Sequence, residues 1–394
     1  MNVDQRMKQE LSRLADRWQL RDVKAPRGVD LCSNDYLGLA GDRRMKRAVR
    51  VALDSAERVA STGSRLLSGH DQAWTALENE FAAWIGAEAA LYFTSGYAAN
   101  TGLLGALLEP GDVVFSDAAN HASLIDGMRL AKAERIVFPH LDLGALESAL
   151  RRAVTAARLG TRFIVVESVF SMDGDVAPLG KLATLAGRYA AELIVDEAHA
   201  TGVFGPAGRG CIAEAGLSGR VFATVHPCGK ALAAAGAFVC GSETLRRFLI
   251  NRARSFIFST ALPPYFAAQV AAGVRLAAAA DVERAHLAEL SEFLRDALAR
   301  EGFDSAASRS QIIPVILGAN DAAVEFAARL AARGYAVRPL RPPTVPEGAA
   351  RLRISLTAKF SRAEIERLAR DIVETRDDIA SAHAPVGTRC AAAG

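Results

Sequence analysis

From about residue 71 onward, segments with apolar residues at helical spacing alternate with short runs that are continuously apolar or β-branched. These runs lie at 89–93, 112–115, 136–138, 163–166, 193–195 and 222–225. Short apolar runs separated by helices predict a largely parallel sheet with helices on both faces. Sheets of this kind bind ligands outside the carboxyl ends of their strands. The polar residues of this region cluster just after the runs: Thr94-Ser95-Gly96, Asp117, Glu167-Ser168, Asp196-Glu197 and, beyond the last run, Lys230. The pattern therefore predicts a site along that one edge.

The flanks read differently. Met7, Leu11, Leu14 and Trp18 recur at helical spacing and predict an N-terminal helix over about 4–20. Ser33-Asn34-Asp35-Tyr36-Leu37-Gly38-Leu39 is rich in turn formers and predicts a loop that faces a ligand or partner. After Pro263-Pro264, helical stretches at 267–280 and 286–300 precede strand-like pieces at 312–317, 336–338 and 352–355, with helices over about 320–333 and 361–377 between and after them. The expected organisation is an arm and substrate-side loop (1–45), a large domain (46–280), a smaller C-terminal α/β domain (281–380) and a flexible tail (381–394).

Composition narrows the function. The 394 residues are 51% hydrophobic and 23% charged, which excludes disordered and disulfide-scaffold classes. Lys and Arg number 47 against 44 Asp and Glu, a bias too weak for a nucleic-acid footprint. Cys32, Cys211, Cys228, Cys240 and Cys390 form no Cys-x-x-Cys pair, so neither zinc nor disulfides are signalled, and free thiols suit a reducing, cytoplasmic setting. No stretch of about 18 apolar residues predicts a membrane span. No Gly-x-Gly-x-x-Gly turn, Walker loop or metal-spaced His/Cys cluster is present.

The residues that carry chemistry begin with the run Leu193-Ile194-Val195-Asp196-Glu197-Ala198-His199. An Asp at the end of a buried strand, with a His three residues on, places a carboxylate and an imidazole at the sheet edge. An Asp there also caps turns, so the pair alone is not decisive. Lys230 sits 34 residues after Asp196 among Cys228-Gly229 and Ala231-Leu232-Ala233. A desolvated lysine has a lowered pKa and forms imines, whereas an isolated lysine more commonly snorkels to water. Taken together, the two match what pyridoxal phosphate requires of a protein, a partner for its ring nitrogen and an imine-forming amine.

At these motifs the chain resembles the α-oxoamine synthases, fold-type I pyridoxal-phosphate enzymes that condense an amino acid with an acyl thioester and release carbon dioxide. The resemblance spans roughly residues 30–375. It implies that Gly96 and Tyr97, in Thr94-Ser95-Gly96-Tyr97, offer backbone amides to the cofactor phosphate at a helix N-terminus. His121, in Asn120-His121-Ala122-Ser123, would stack on the ring and reach the substrate, and Ser171, in Glu167-Ser168-Val169-Phe170-Ser171, would contact the cofactor. Asp196 and His199 would meet the ring nitrogen and the phenolic oxygen, with Lys230 as the imine lysine. Lys230, His121, Asp196 and His199 are thus the expected catalytic set.

The same resemblance assigns Asn34 to the substrate-side loop and Arg353, in Arg351-Leu352-Arg353-Ile354-Ser355, to the amino-acid carboxylate, which a guanidinium fork suits. Thr344 would line the substrate site and Arg21 would meet the acyl chain. Ser259 and Thr260 would reach the phosphate of a neighbouring subunit in a homodimer. The segment from Arg341 to Thr357 points to the biotin-pathway branch, which uses L-alanine and pimeloyl-CoA or pimeloyl-acyl carrier protein; glycine- and serine-using branches remain alternatives. Two further readings are a non-catalytic subunit of the same fold and a thiol acyltransferase using Cys228 with His226. One departure is Pro227, where relatives carry a threonine hydroxyl; proline offers neither a hydroxyl nor an N–H.

Overall fold

The structure, a computed structural model, describes residues 2–156 and 160–383. Its centre is a seven-stranded sheet of strands β2 (Ala89–Phe93), β3 (Val113–Asp117), β4 (Glu134–Phe138), β5 (Arg162–Glu167), β6 (Ala191–Asp196), β7 (Ala223–Pro227) and β8 (Ala237–Gly241). The spatial order is β2-β8-β7-β6-β5-β3-β4. All pairings are parallel except those of β8, which runs antiparallel to both β2 and β7. The apolar pattern finds six of these strands and misses β8. Its run follows the small-residue stretch Ala233-Ala234-Ala235-Gly236 and reads as a continuation of the loop.

Side chains alternate across the pleat, so each strand feeds two cores. On β5, Ile164 and Val166 enter one core, with Phe115, Val195 and Phe238, while Phe163 and Val165 enter the other, with Val114, Ile194 and Val225. Edge strand β4 differs: Glu134, Arg135 and Val137 are exposed. Charged side chains on an edge discourage further strand pairing.

The C-terminal part builds a three-stranded antiparallel sheet, β11 (Pro339–Leu340), β12 (Ala350–Ser355) and β9 (Ile312–Gly318). Helices Asn320–Ala332 and Arg362–His383 accompany it. The short strand β1 (Val29–Asp30) pairs in parallel with β10 (Tyr335–Ala336), which ties the chain before the Ser33–Leu39 loop to the C-terminal part. The last helix takes in 381–383, where a tail was expected; 384–394 lie outside the described residues. The N-terminal helix, Val3–Asp16, stops short of Trp18, which adopts a left-handed backbone. Its expected apolar stripe is half exposed, with Met7 and Leu11 each at 52%. Among the described residues no helix is long and apolar enough to cross a membrane, and no group of His, Cys, Asp and Glu is arranged to hold a metal ion.

Two helices that follow sheet strands bring site residues together. Gly96–Leu107 follows β2 and Ala122–Leu130 follows β3, and they touch at Gly127, where a Cβ would lie 2.8 Å from the Asn100 carbonyl oxygen and 3.0 Å from Leu104 Cβ. Glycine lets the helices approach closely enough for Asn100 and Ser123 to hydrogen-bond at 2.9 Å. Gly127→Val should therefore destabilise the fold by about 1–3 kcal/mol through overpacking, read as a lowered thermal midpoint by circular dichroism.

Candidate active site

A cavity of about 440 Å³ opens at the carboxyl edge of the central sheet, the edge the polar residues predict. One wall is the start of helix Gly96–Leu107. Ser95 caps it, its Oγ accepting the Ala98 N–H at 3.0 Å. The amides of Gly96 and Tyr97 fall in the first turn, where a helix offers no acceptor of its own. Gly96 is required by space: a Cβ there would lie 2.9 Å from Pro227 Cγ, at the end of β7.

Asp196 ends β6 and is buried. Its Oδ2 accepts Asn100 Nδ2 at 2.7 Å and its Oδ1 accepts the Ala198 N–H at 2.8 Å. Asn100 lies one helical turn after Gly96, so both face the cavity. Its Oδ1 is buried without a partner among the described residues. Next to Asp196 in register is Glu167, the last residue of β5, also buried. One of its oxygens accepts the His121 N–H at 2.6 Å. Burial first, and then the charge of Asp196, hold its carboxyl well above the usual range.

His121 caps helix Ala122–Leu130, its Nδ1 within 2.7 Å of Ser123 Oγ, and its ring lines the cavity. Lys230 lies in the loop that joins β7 to β8, and its Nζ makes no hydrogen bond or ion pair with the described residues. Burial lowers its pKa, against the pull of Asp196 and Glu167, and so disfavours the ammonium form. Ala233, at the far side of that loop, holds a left-handed backbone with φ of 48°, and its N–H reaches the Lys230 carbonyl at 2.9 Å.

His199 is buried, its Nδ1 2.6 Å from the Tyr36 hydroxyl. Burial, reinforced by Lys230 and Arg353, keeps its pKa well below the usual value, so it stays neutral. Tyr36 also reaches Asn34 Oδ1 at 3.0 Å, and that oxygen accepts both terminal nitrogens of Arg353 at 3.1 Å. Arg353 further donates to the Ser171 carbonyl and, at 2.7 Å, to Ser355 Oγ. One network thus joins the Ser33–Leu39 loop, β12 and the segment after β5.

The cavity brings together Asn34, Gly96, Tyr97, His121, Ser171, Asp196, His199, Lys230 and Arg353. Four other expected residues lie outside its walls. Arg21 donates to Thr344 Oγ1 at 3.1 Å, and Ser259 and Thr260 follow exposed Phe258. The pattern reading left Asn100, Glu167, Ser123 and Tyr36 without roles. A signal existed for the first two: Asn100 is four residues after the phosphate-loop glycine, and Glu167 ends the strand beside that of Asp196. The thiol reading fails on geometry. Burial pushes the Cys228 thiol up and His226 down to about 3, and both ring nitrogens of His226 are engaged, by Thr201 and Thr224.

Comparison with known proteins agrees with this arrangement. The aminotransferase class I and II family matches residues 26–372. The chain belongs to that family. Within it, 8-amino-7-oxononanoate synthases of Anaeromyxobacter dehalogenans and Burkholderia thailandensis are 47% and 46% identical, over 86% of this chain and 84% and 86% of theirs. Among solved structures, a serine palmitoyltransferase of Sphingomonas wittichii superposes with a TM-score of 0.89 at 30% identity, over 97% of this chain and 100% of that one. The 8-amino-7-oxononanoate synthase of Francisella tularensis does so at 0.77 and 29%, over 90% and 99%. The fold is that of fold-type I pyridoxal-phosphate enzymes, and the chain is an acyltransferase of that class.

The donor set suits the cofactor of this family. The first-turn amides of a helix N-terminus at Gly96 and Tyr97 fit a phosphate, the buried Asp196 carboxylate fits a protonated ring nitrogen, and the desolvated Lys230 amine fits an aldehyde. The Lys230 loop itself carries a backbone strain that glycine would relieve. Ala233→Gly should raise stability by about 1 kcal/mol, the left-handed cost less the entropy that glycine adds. A calorimetric midpoint at or below that of the parent protein would contradict this.

Proposed function

We propose that the chain joins L-alanine to a pimeloyl thioester, forming 8-amino-7-oxononanoate, carbon dioxide and the free thiol of coenzyme A or acyl carrier protein, in the cytoplasm. The observation that carries the reading is one cavity holding a desolvated lysine, a buried aspartate and an anchored arginine, in a chain 44–47% identical to synthases of that name. Bound pyridoxal phosphate supplies an electron sink that lets an α-carbon release a proton or a carboxylate. Gly96 and Tyr97 would hold its phosphate, Asp196 its ring nitrogen, His199 and Ser171 its phenolic oxygen, and His121 its ring face. Lys230 would bond its aldehyde carbon.

The chain's own groups then divide the work. Arg353 grips the alanine carboxylate, its guanidinium already fixed by Asn34, the Ser171 carbonyl and Ser355. Lys230, its amine set free when the alanine amine takes its place and its charged form disfavoured by burial, would take the α-proton and return one at the end. In the net reaction a carbon–carbon bond forms at the thioester carbonyl, the carbon–sulfur bond breaks, and carbon dioxide leaves from the alanine carbon. Ser259 and Thr260, outside their own cavity beside Phe258 at 70% exposure, are offered to a second copy, consistent with a homodimer.

A serine-using reading has one observation in its favour, the 0.89 TM-score to a serine palmitoyltransferase. The higher sequence identity to the oxononanoate synthases favours alanine. The deciding experiment measures thiol release from pimeloyl-CoA with L-alanine, glycine and L-serine, and from palmitoyl-CoA with L-serine. Turnover with alanine and pimeloyl-CoA is expected; turnover only with another pair would move the chain to a different branch. Lys230→Ala should abolish both turnover and the imine absorbance of added pyridoxal phosphate. Arg353→Lys should raise KM for alanine by roughly tenfold or more, as loss of a bidentate pair does, while that absorbance persists; an unchanged KM would remove Arg353 from the carboxylate.

A further inference from the structure

Outside the cavity, a half-buried histidine follows edge strand β4 and bridges two loops of the site. His140 Nδ1 lies 2.8 Å from Asp117 Oδ1, and Nε2 lies 2.7 Å from Asp175 Oδ2. Asp117 ends β3 and caps the turn that leads to His121, accepting the Ala119 and Leu141 N–H groups at 2.8 and 2.9 Å. Asp175 belongs to the hairpin that follows β5, where the Phe170 and Ala177 N–H groups bond the Asp175 and Ser168 carbonyls at 3.0 and 2.9 Å. Ser171 lies in this hairpin, and His140 meets the Phe170 ring edge-on with 4.5 Å between centroids.

We propose that His140 is a positioning residue for this site, its two ring nitrogens joining the turn that delivers His121 to the hairpin that delivers Ser171. Both nitrogens face carboxylates, so the ring serves two acceptors only when both carry protons. Burial opposes that charge, yet the hydrogen bonds to Asp117 and Asp175 prevail and raise its pKa to about 10. The two carboxylates depend on it unequally. Asp117 keeps two backbone donors, whereas among the described residues the other oxygen of Asp175 is buried without a partner, and His140 is the one side chain hydrogen-bonded to its carboxylate. The hairpin continues to Asp173, which pairs with Arg351 on β12, two residues from Arg353. Register set at His140 is thereby passed toward the carboxylate grip.

The inference rests on reading the cavity as the pyridoxal-phosphate site, and the test separates the two. Wild type, His140→Gln, Asp175→Asn and the double variant are titrated with pyridoxal phosphate by imine absorbance, alongside thermal midpoints and KM and kcat for the thiol-release reaction. Wild type that forms no imine overturns the site reading. Given imine in wild type, His140→Gln should weaken cofactor binding roughly tenfold, the scale of a lost charge-assisted bond, and lower kcat with a smaller change in KM. Adding Asp175→Asn removes the orphaned charge and should restore most of the affinity. Unchanged affinity in His140→Gln overturns the proposal, as does a double variant no better than the single. If His140→Gln does not fold, Asp175→Asn alone decides: a smaller loss of affinity supports the proposal, and none overturns it.

Discussion

A carboxylate withdrawn from water at the end of a central strand is destabilising by several kcal/mol unless hydrogen bonds replace its hydration. Asp196 meets that condition with donors from two different elements, Asn100 of the helix after β2 and the backbone just past its own strand. Helix Gly96–Leu107 is consequently fixed relative to β6, and with it the amides at its start. Asn100 is fixed in turn by Ser123, on the helix that His121 caps. The aspartate that suits a ring nitrogen therefore also sets the distance between the phosphate cradle and the histidine wall. Glu167 repeats the logic one strand over, by holding the His121 amide.

The lysine needs the opposite treatment. Its amine is useful only when neutral, and burial shifts it that way with no direct partner among the described residues, although Asp196 and Glu167 pull the other way. A direct ion pair to either would restore the charge. The tight loop between β7 and β8, closed by Ala233 in a strained conformation, keeps the chain close to the cavity. Strain of this kind persists where surrounding structure over-determines the backbone. Here the Ala233 carbonyl is held from outside by Gln269 at 3.1 Å.

How much of this was legible in the sequence follows from the range of each signal. Alternation of buried runs and amphipathic helices is local, so six strands of the sheet and its ligand-binding edge were readable. Asp196 and Lys230 stood out because a carboxylate after a buried strand and a lysine among small residues are locally incongruous. Strand β8 was not readable, since its apolar run continues from the small residues of the Lys230 loop and its place beside β2 is decided by a partner far back along the chain. Nor was His140, which looks like an ordinary loop histidine until Asp117 arrives from the end of β3 and Asp175 from the hairpin after β5. Trp18 shows the converse: helical spacing counted it in, and the left-handed turn after Asp16 leaves it out.

Pro227 places a further limit on the phosphate end of the site. It ends β7 against β8, where it has no N–H to give the ladder or a ligand, and it packs on Gly96 so closely that a Cβ there would collide. The pair is matched: a ring on one side requires a bare backbone on the other. A hydroxyl at position 227 would add a donor, but it would not fill the same space. In the proposed site the anion-binding load would accordingly fall on backbone groups, the first-turn amides and the dipole of helix Gly96–Leu107, which do not depend on side-chain rotamers. Backbone donors set by a helix keep their geometry only while the helix stays in place. The constraint returns to Asn100 and Asp196, the bond that anchors that helix to the sheet.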